Sequence, residues 1–248
     1  MAAKNRSEDA IVGRKAQNFV KTFSASKVVV NSRYDYKQVL TRIISSYDAA
    51  VIRSYCKVRF TIININILHI LALCLRGKRK VLDVGCGFGL FGLYFSTLYP
   101  DISYYGYDID STRIEMANKA AKRLGLNNAV FRCQDARDLI LNENFDAVMT
   151  IDLMHHLDDS SKNSLLATCA RHLASDGRLI IKDITTHPFH RLAFTWALDV
   201  LMTWGFQMWY WNETKFNAAC KKYFKRVDIF PISDWMPYPH IVYLCENV

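Results

Sequence analysis

Carboxylates at wide intervals, three alternate glycines and a pair of histidines are the residues of this 248-residue chain whose types and spacing could do chemistry. Asp83 leads into Gly85-Cys86-Gly87-Phe88-Gly89, Asp108, Asp135 and Asp152 follow, and His155-His156 completes the set. A glycine-rich turn lets backbone amides approach a ligand closely, and a helix starting at its end aims its N-terminus at the same place. Gly85 and Gly87 would take backbone angles that a β-carbon forbids, and Gly89 would let the helix start close against the ligand. A dinucleotide fingerprint needs glycines at the first, third and sixth places, and the sixth here is Leu90, so a pyrophosphate ligand is disfavoured. Asp108 is placed to hold a ribose diol with two hydrogen bonds, and Asp135 has a short side chain able to accept from an adenine amino group. A neutral imidazole at His155 or His156 could take a phenol or hydroxyl proton near neutral pH.

Each of these residues needs an element to hold it. Val81 to Val84 reads as a strand running into the glycines, and Leu90 to Tyr99 as a helix apolar all round, packed on a sheet and ended by Pro100. A second strand, Ser103 to Asp108, precedes a helix capped by Asp110 and Ser111, striped by Ile114, Ala117, Ala121 and Leu124 and stopped by Gly125. Strands Ala129 to Cys133 and Phe145 to Ile151, a helix Ser161 to Ala174, an Asp176-Gly177 turn and a strand Arg178 to Asp183 continue the alternation. Regular βα alternation predicts a parallel sheet with helices on both faces and ligands over the carboxyl ends of the strands, where Gly85, Asp108, Asp135 and Asp152 all fall. A helix Glu213 to Phe224 and strands Arg226 to Phe230 and His240 to Cys245 end the chain; the short link between those strands predicts antiparallel pairing.

Before the first strand, Tyr34 to Ser46 and a further helical stretch through Cys56 and Phe60 to Leu75 predict two or three helices, with Gly77 in the C-cap place. Residues 1–75 are read as a basic helical cap or lid and 76–248 as the catalytic unit. The aromatic-rich stretch 187–212 (Phe189, Phe194, Trp196, Trp204, Phe206, Trp209, Tyr210, Trp211) could line a pocket for a lipophilic acceptor or be plain core.

The chain is 51% apolar and carries a net charge of +9. Residues 1–75 hold 12 Lys or Arg against 4 Asp or Glu, while 76–248 hold 20 against 19, so the charge is concentrated ahead of the glycine turn. That balance suits an acidic carrier protein, an anionic membrane surface or a nucleic acid as partner. Seven scattered cysteines without a C-x-x-C pair argue against a disulfide framework and against a zinc site, and with no signal-peptide core they lead to a reduced, cytoplasmic setting as the expectation.

Read together, VLDVGCGFG (81–89), YGYDID (105–110), CQDA (133–136), FDAVMTIDLMHHLDD (145–159) and GRLIIKD (177–183) resemble the class I S-adenosylmethionine-dependent methyltransferases of small-molecule type, over about residues 80–248. The resemblance implies a Rossmann-like, doubly wound, seven-stranded sheet with its last strand antiparallel, and S-adenosyl-L-methionine as cofactor. It also implies that Gly85-Cys86-Gly87 faces the methionine part, Asp83 holds its ammonium group, Asp108 binds the ribose and Ile109 packs on adenine. Asp135 with Ala136 would read the adenine edge, and Asp152 would lie beside the sulfonium. Nothing suggests a metal ligand set. The acceptor implied is a small lipophilic or aromatic molecule, phenol or hydroxyl favoured. Two alternatives stay open: an RNA methyltransferase, disfavoured because Asp152-Leu153-Met154-His155 replaces the Asn- or Asp-Pro-Pro-Tyr/Phe signature, and a non-catalytic S-adenosylmethionine-binding protein. An NAD-dependent enzyme is disfavoured by Leu90 and by the antiparallel end.

Overall fold

The computed structural model describes residues 36–203, 207–232 and 237–247. Residues 1–35, which hold much of the basic leader, lie outside the described residues, as do Trp204 and Phe206.

The first strand, β1 (Lys80–Val84), has Val81, Leu82 and Val84 without solvent exposure, the pattern of a parallel strand covered on both faces. It pairs in parallel with β2 (Ser103–Asp108) on one side and with β4 (Phe145–Ile151) on the other. Beyond β2 lies β3 (Ala129–Cys133); beyond β4 come β5 (Leu173–Ile184), β7 (His240–Glu246) and the edge strand β6 (Arg226–Ile232). The sheet order is β3-β2-β1-β4-β5-β7-β6, and β7 runs antiparallel to both neighbours, with Tyr243 opposite Ile181 and Ile229. This is the doubly wound, seven-stranded sheet with a reversed last strand that the motif order implies. Strand order reverses between β1 and β4, which opens a crevice over their carboxyl ends.

Three helices precede the sheet: α1 (Tyr36–Ser45), α2 (Ala50–Ile62) and α3 (Ile65–Cys74). The chain bends by 76° between α2 and α3. Asn64 makes the break, since its side-chain oxygen accepts the Asn66 N–H at 3.0 Å and starts a new helix there. Among the described residues no single helix is long and apolar enough to cross a membrane. Val39, Ile43, Cys56, Phe60, Ile67, Leu68 and Leu71 of these helices share one buried cluster with Leu93, Tyr94 and Phe95 of α4 (Leu90–Leu98). Each such aliphatic or aromatic side chain stabilises the docked arrangement by about 1.5–3 kcal/mol, so the three helices are built into the sheet's core.

The helix α5 (Ser111–Leu124) begins and ends as its sequence predicts: the Asp110 carboxylate accepts from the Thr112 and Arg113 amides, and Gly125 closes it at φ +70°. Several boundaries differ from expectation. The next helix, α6 (Asp159–Arg171), starts and ends earlier than 161–174, because the Asp158 carboxylate accepts the Ser161 N–H at 2.7 Å and caps it. Residue Leu173 then already pairs with Phe145 in β4; the next pair is Arg178 with Ala147, and Asp176-Gly177 falls in an irregularity within β5 rather than in a turn before it.

After β5 come α7 (Phe189–Thr203) and α8 (Glu213–Cys220), the latter about one turn shorter than its pattern predicts. The aromatic stretch does not act as one block. Trp211 joins the second buried cluster against Phe216, whereas Phe189, Trp196 and Trp209 are exposed and Phe194 meets the Tyr238 ring edge-on at 5.8 Å.

Candidate active site

A cleft opens over the carboxyl ends of β1, β2, β4 and β5. Asp83, Gly85, Cys86, Gly87, Phe88 and Asp108 line one part of it, and Asp152, Leu153, His155, His156, Lys182 and Ile184 the other, with Tyr55, Arg59 and Ile62 of α2 and Tyr238 closing the side.

The turn after β1 is built from backbone. Gly85, Gly87 and Gly89 take φ values of +79°, +55° and +74°, the left-handed region where a side chain is strained. The Gly85 and Cys86 amides donate to the Tyr107 carbonyl at 2.7 and 3.0 Å, tying the turn to β2. A β-carbon on Gly85 would lie 2.7 Å from the Leu153 side chain, whereas none of the protein comes within 4 Å of the place a β-carbon on Gly87 would fill. The Gly87 backbone is therefore open to a ligand in the cleft.

Asp83 is buried at the floor, and its Oδ2 accepts the Tyr104 hydroxyl at 2.8 Å. Burial pushes its carboxyl up to about 7; the Tyr104 hydrogen bond works against that rise and Asp108 adds to it. A buried carboxylate so placed is stabilised by any cation it meets, and an ammonium group suits it. Asp108, at the end of β2, accepts the Gly87 N–H at 2.7 Å on Oδ2 and the Asp110 N–H at 3.0 Å on Oδ1, which fixes its plane at the cleft wall.

Three other expected cofactor contacts, Ile109, Asp135 and Ala136, lie outside the cleft lining, whereas Asp152 is part of it. Ile109 is 66% exposed. Asp135 caps a short turn over Ala136–Asp138 and is paired with its own neighbour, accepting the Arg137 N–H at 2.9 Å and the Arg137 Nε–H at 3.0 Å. Ala136 packs at the edge of the second buried cluster. Asp152, at φ +52°, donates its N–H to the Lys182 carbonyl at 2.8 Å and turns its carboxylate between two cations, Lys182 and Arg59, the latter at 2.6 Å. Burial alone would raise the Asp152 carboxyl, but Lys182 and Arg59 outweigh it and hold it well below the usual carboxylate range. This ion triad ties α2 to the ends of β4 and β5.

The two histidines are unequal. His155 is buried, and its Nδ1 lies 2.5 Å from Asp183 Oδ1, which also accepts the Ile184 N–H at 2.8 Å. With Asp183 ionised, the Nδ1 carries the proton and Nε2 becomes the basic atom. His156 has its ring 4.1 Å from that of His155, and burial together with His155 lowers its pKa to about 4, so it stays neutral and is a weak base. The sequence held no sign of a metal ligand set, yet Asp152, His155 and Asp183 place ligand-type atoms within 4.8 Å of one another; the Asp152 oxygens are engaged by Lys182 and Arg59 and Asp183 Oδ1 by His155, while the buried Asp183 Oδ2 has no hydrogen-bond partner among the described residues. Sequence reasoning missed Asp183, Lys182, Arg59 and Tyr55. Only Lys182-Asp183 had a visible signal, as charges at the end of an otherwise apolar strand.

Residues 81–177 match the family described as Methyltransferase domain. The phosphoethanolamine N-methyltransferase of Plasmodium falciparum is 34% identical over 113 residues, covering 44% of this chain and 40% of that protein. The cyclopropane-fatty-acyl-phospholipid synthase of Escherichia coli is 29% identical over 110 residues, covering 44% of this chain and 27% of that protein. The chain thus spans less than half the length of these curated relatives. A solved structure from Pyrococcus horikoshii OT3 superposes with a TM-score of 0.61 at 22% identity, over 73% of this chain and 88% of that one, which shows the same fold. The fold shared with it is the Rossmann-like, doubly wound, seven-stranded sheet. Asp83, the glycine turn and Asp108 all lie within the stretch that is similar to the methyltransferase-domain family.

The cleft fits the amino-acid and ribose portions of S-adenosylmethionine, the cofactor that the sequence motifs imply: Asp83 would take the ammonium, the open Gly87 backbone the methionine part, and Asp108 the ribose diol. A pH dependence follows. An ammonium group needs Asp83 ionised, and the free carboxyl titrates near 7. Affinity for S-adenosylhomocysteine is therefore full above about pH 7.5 and falls, by up to about tenfold per pH unit, below about pH 6.5, with proton uptake by Asp83 opposing binding. Calorimetry across that range in two buffers of different ionisation enthalpy checks it; an affinity flat with pH and no proton release on binding would contradict the role given to Asp83.

Proposed function

We propose that this protein transfers a methyl group from S-adenosylmethionine to a hydroxyl or phenol of a small lipophilic or aromatic acceptor, with His155 as the base that removes the acceptor proton. The buried His155–Asp183 pair at 2.5 Å carries the reading. Bound in the cleft, the cofactor would supply an electrophilic methyl group. Asp183 holds the His155 ring in the tautomer whose Nε2 accepts a proton, and stabilises the imidazolium that results. Tyr55, Ile62, Ile184 and Tyr238 form an apolar wall at the same part of the cleft, suited to a flat or aliphatic acceptor and to excluding water from the reacting oxygen. The matched relatives are named for unlike products, a phosphoethanolamine N-methyltransferase and a cyclopropane-fatty-acyl-phospholipid synthase, so the acceptor class rests on the cleft wall.

The test is S-adenosylhomocysteine production by the full chain with a panel of phenols, long-chain alcohols, free amines and RNA transcripts. Turnover with phenols or alcohols, faster as pH rises through the neutral range, is expected. Turnover confined to amines or to RNA would overturn the acceptor class.

A further inference from the structure

Lys162 is a buried cation for which the proposed chemistry has no use. It sits on α6 and is 1% exposed. Its Nζ donates to the Leu157 carbonyl at 2.7 Å and to the Trp209 carbonyl, and lies 5.1 Å from the centroid of the Trp211 ring. A lysine in such a place costs free energy that a methionine of similar length would not. Burial works against its charged form, while Asp159 and Asp183 favour it.

The two carbonyls it joins bracket His155. Leu157 closes the short turn over Met154–His156, with its N–H on the Met154 carbonyl at 3.1 Å. Trp209 donates its own N–H to the His155 carbonyl at 2.9 Å. Next along the chain, the Tyr210 ring lies nearly parallel to the His155 imidazole, 15° apart with centroids at 5.8 Å. One ammonium group thus fastens both segments of chain that enclose the imidazole, the turn that carries it and the strap that covers it. The same ammonium interacts electrostatically with Asp183, the partner of His155 Nδ1.

We propose that Lys162 is a positioning residue for the His155–Asp183 pair: it clamps residue 157 to residue 209, keeps Tyr210 over the imidazole, and by its charge restrains proton uptake by His155. The inference rests on His155 being the base, but its test needs no turnover. The other groups facing the imidazole are Asp183, the His156 ring at 4.1 Å, Tyr210, and more distantly Asp152 with Lys182 and Arg59. None of them is altered in Lys162 variants.

Nitrogen-15 resonances of His155 in the full chain, followed through pH for wild type, Lys162→Gln and Lys162→Arg, provide that test. Glutamine keeps a donor for one carbonyl but removes the charge, and is expected to raise the His155 pKa by about half a unit or more and to mix its tautomers. Arginine is expected to restore the wild-type titration. An unchanged His155 titration in folded Lys162→Gln overturns the proposal. Should that variant fail to fold, Lys162→Met, which keeps the length of the side chain and removes the ammonium from both carbonyls, is read in the same way; shifted His155 ring resonances are expected, and unshifted ones overturn the clamp. Full methylation by His155→Asn would reject the base reading instead, leaving the titration to decide the role of Lys162.

Discussion

Replacing His155 or Asp183 by Asn is expected to lower kcat by about 10²- to 10⁴-fold, the range that a positioned general base contributes, while S-adenosylhomocysteine affinity stays within about threefold of wild type. The two variants act on one pair, His155 Nδ1 to Asp183 Oδ1 at 2.5 Å. His155→Asn removes the proton acceptor. Asp183→Asn leaves the imidazole in place but removes the carboxylate that favours Nδ1–H and the imidazolium, so Nε2 is no longer held as the basic atom. Because the two substitutions break one device, the double variant should be scarcely slower than the worse single one. Asp83 and Asp108, which we propose hold the cofactor, belong to β1 and β2 rather than to the β4–β5 side of the cleft; that separation is why binding should survive. The check is kcat with a phenolic acceptor alongside calorimetry for both variants. Activity within a few fold of wild type would remove His155 from the chemistry.

Asp108→Ala is expected to weaken S-adenosylhomocysteine binding by about 100-fold or more. A carboxylate gripping two ribose hydroxyls makes two charge-assisted hydrogen bonds, each worth about 1.5–3 kcal/mol, which together correspond to at least that factor. The side chain also accepts the Gly87 and Asp110 amides at 2.7 and 3.0 Å, so its loss loosens the glycine turn as well. Asp108→Asn separates the two roles, since an amide can still accept one of those N–H groups; an intermediate loss of affinity is expected. Calorimetry on variants whose circular dichroism matches wild type decides the matter, and preserved affinity in Asp108→Ala would sink the ribose assignment.

The fold and one side of the site were legible in the sequence because they rest on local chemistry. Three glycines after an apolar strand can satisfy their angles only in a turn of this kind, and an acid at the end of the next strand lands beside it once the strands pair in parallel. The antiparallel end was readable from the short link between the last two strands. The β4–β5 side of the cleft was not legible, for a physical reason: Arg59, Asp152, Lys182 and Asp183 meet only after α2 docks across the ends of β4 and β5, and their separations in sequence carry no period. The same holds for Lys162 and Trp209, which are joined through backbone carbonyls that any residue possesses. Asp176-Gly177 misled as a turn because β5 pairs on both sides of an irregularity there. The aromatic stretch, which could have been pocket lining or core, divides among the described residues: Trp211 is core and Trp196 is surface, while the rings that line the cleft, Tyr55, Phe88, Phe91 and Tyr238, are scattered along the chain.

Titrating the full chain with S-adenosylhomocysteine in a calorimeter at neutral pH, with NADH as the control ligand, tests the central claim most directly. Saturable one-site binding of S-adenosylhomocysteine, lost in Asp108→Ala and accompanied by no heat from NADH, is the predicted result. Binding of NADH in its place, or S-adenosylhomocysteine binding indifferent to Asp83 and Asp108, would contradict it.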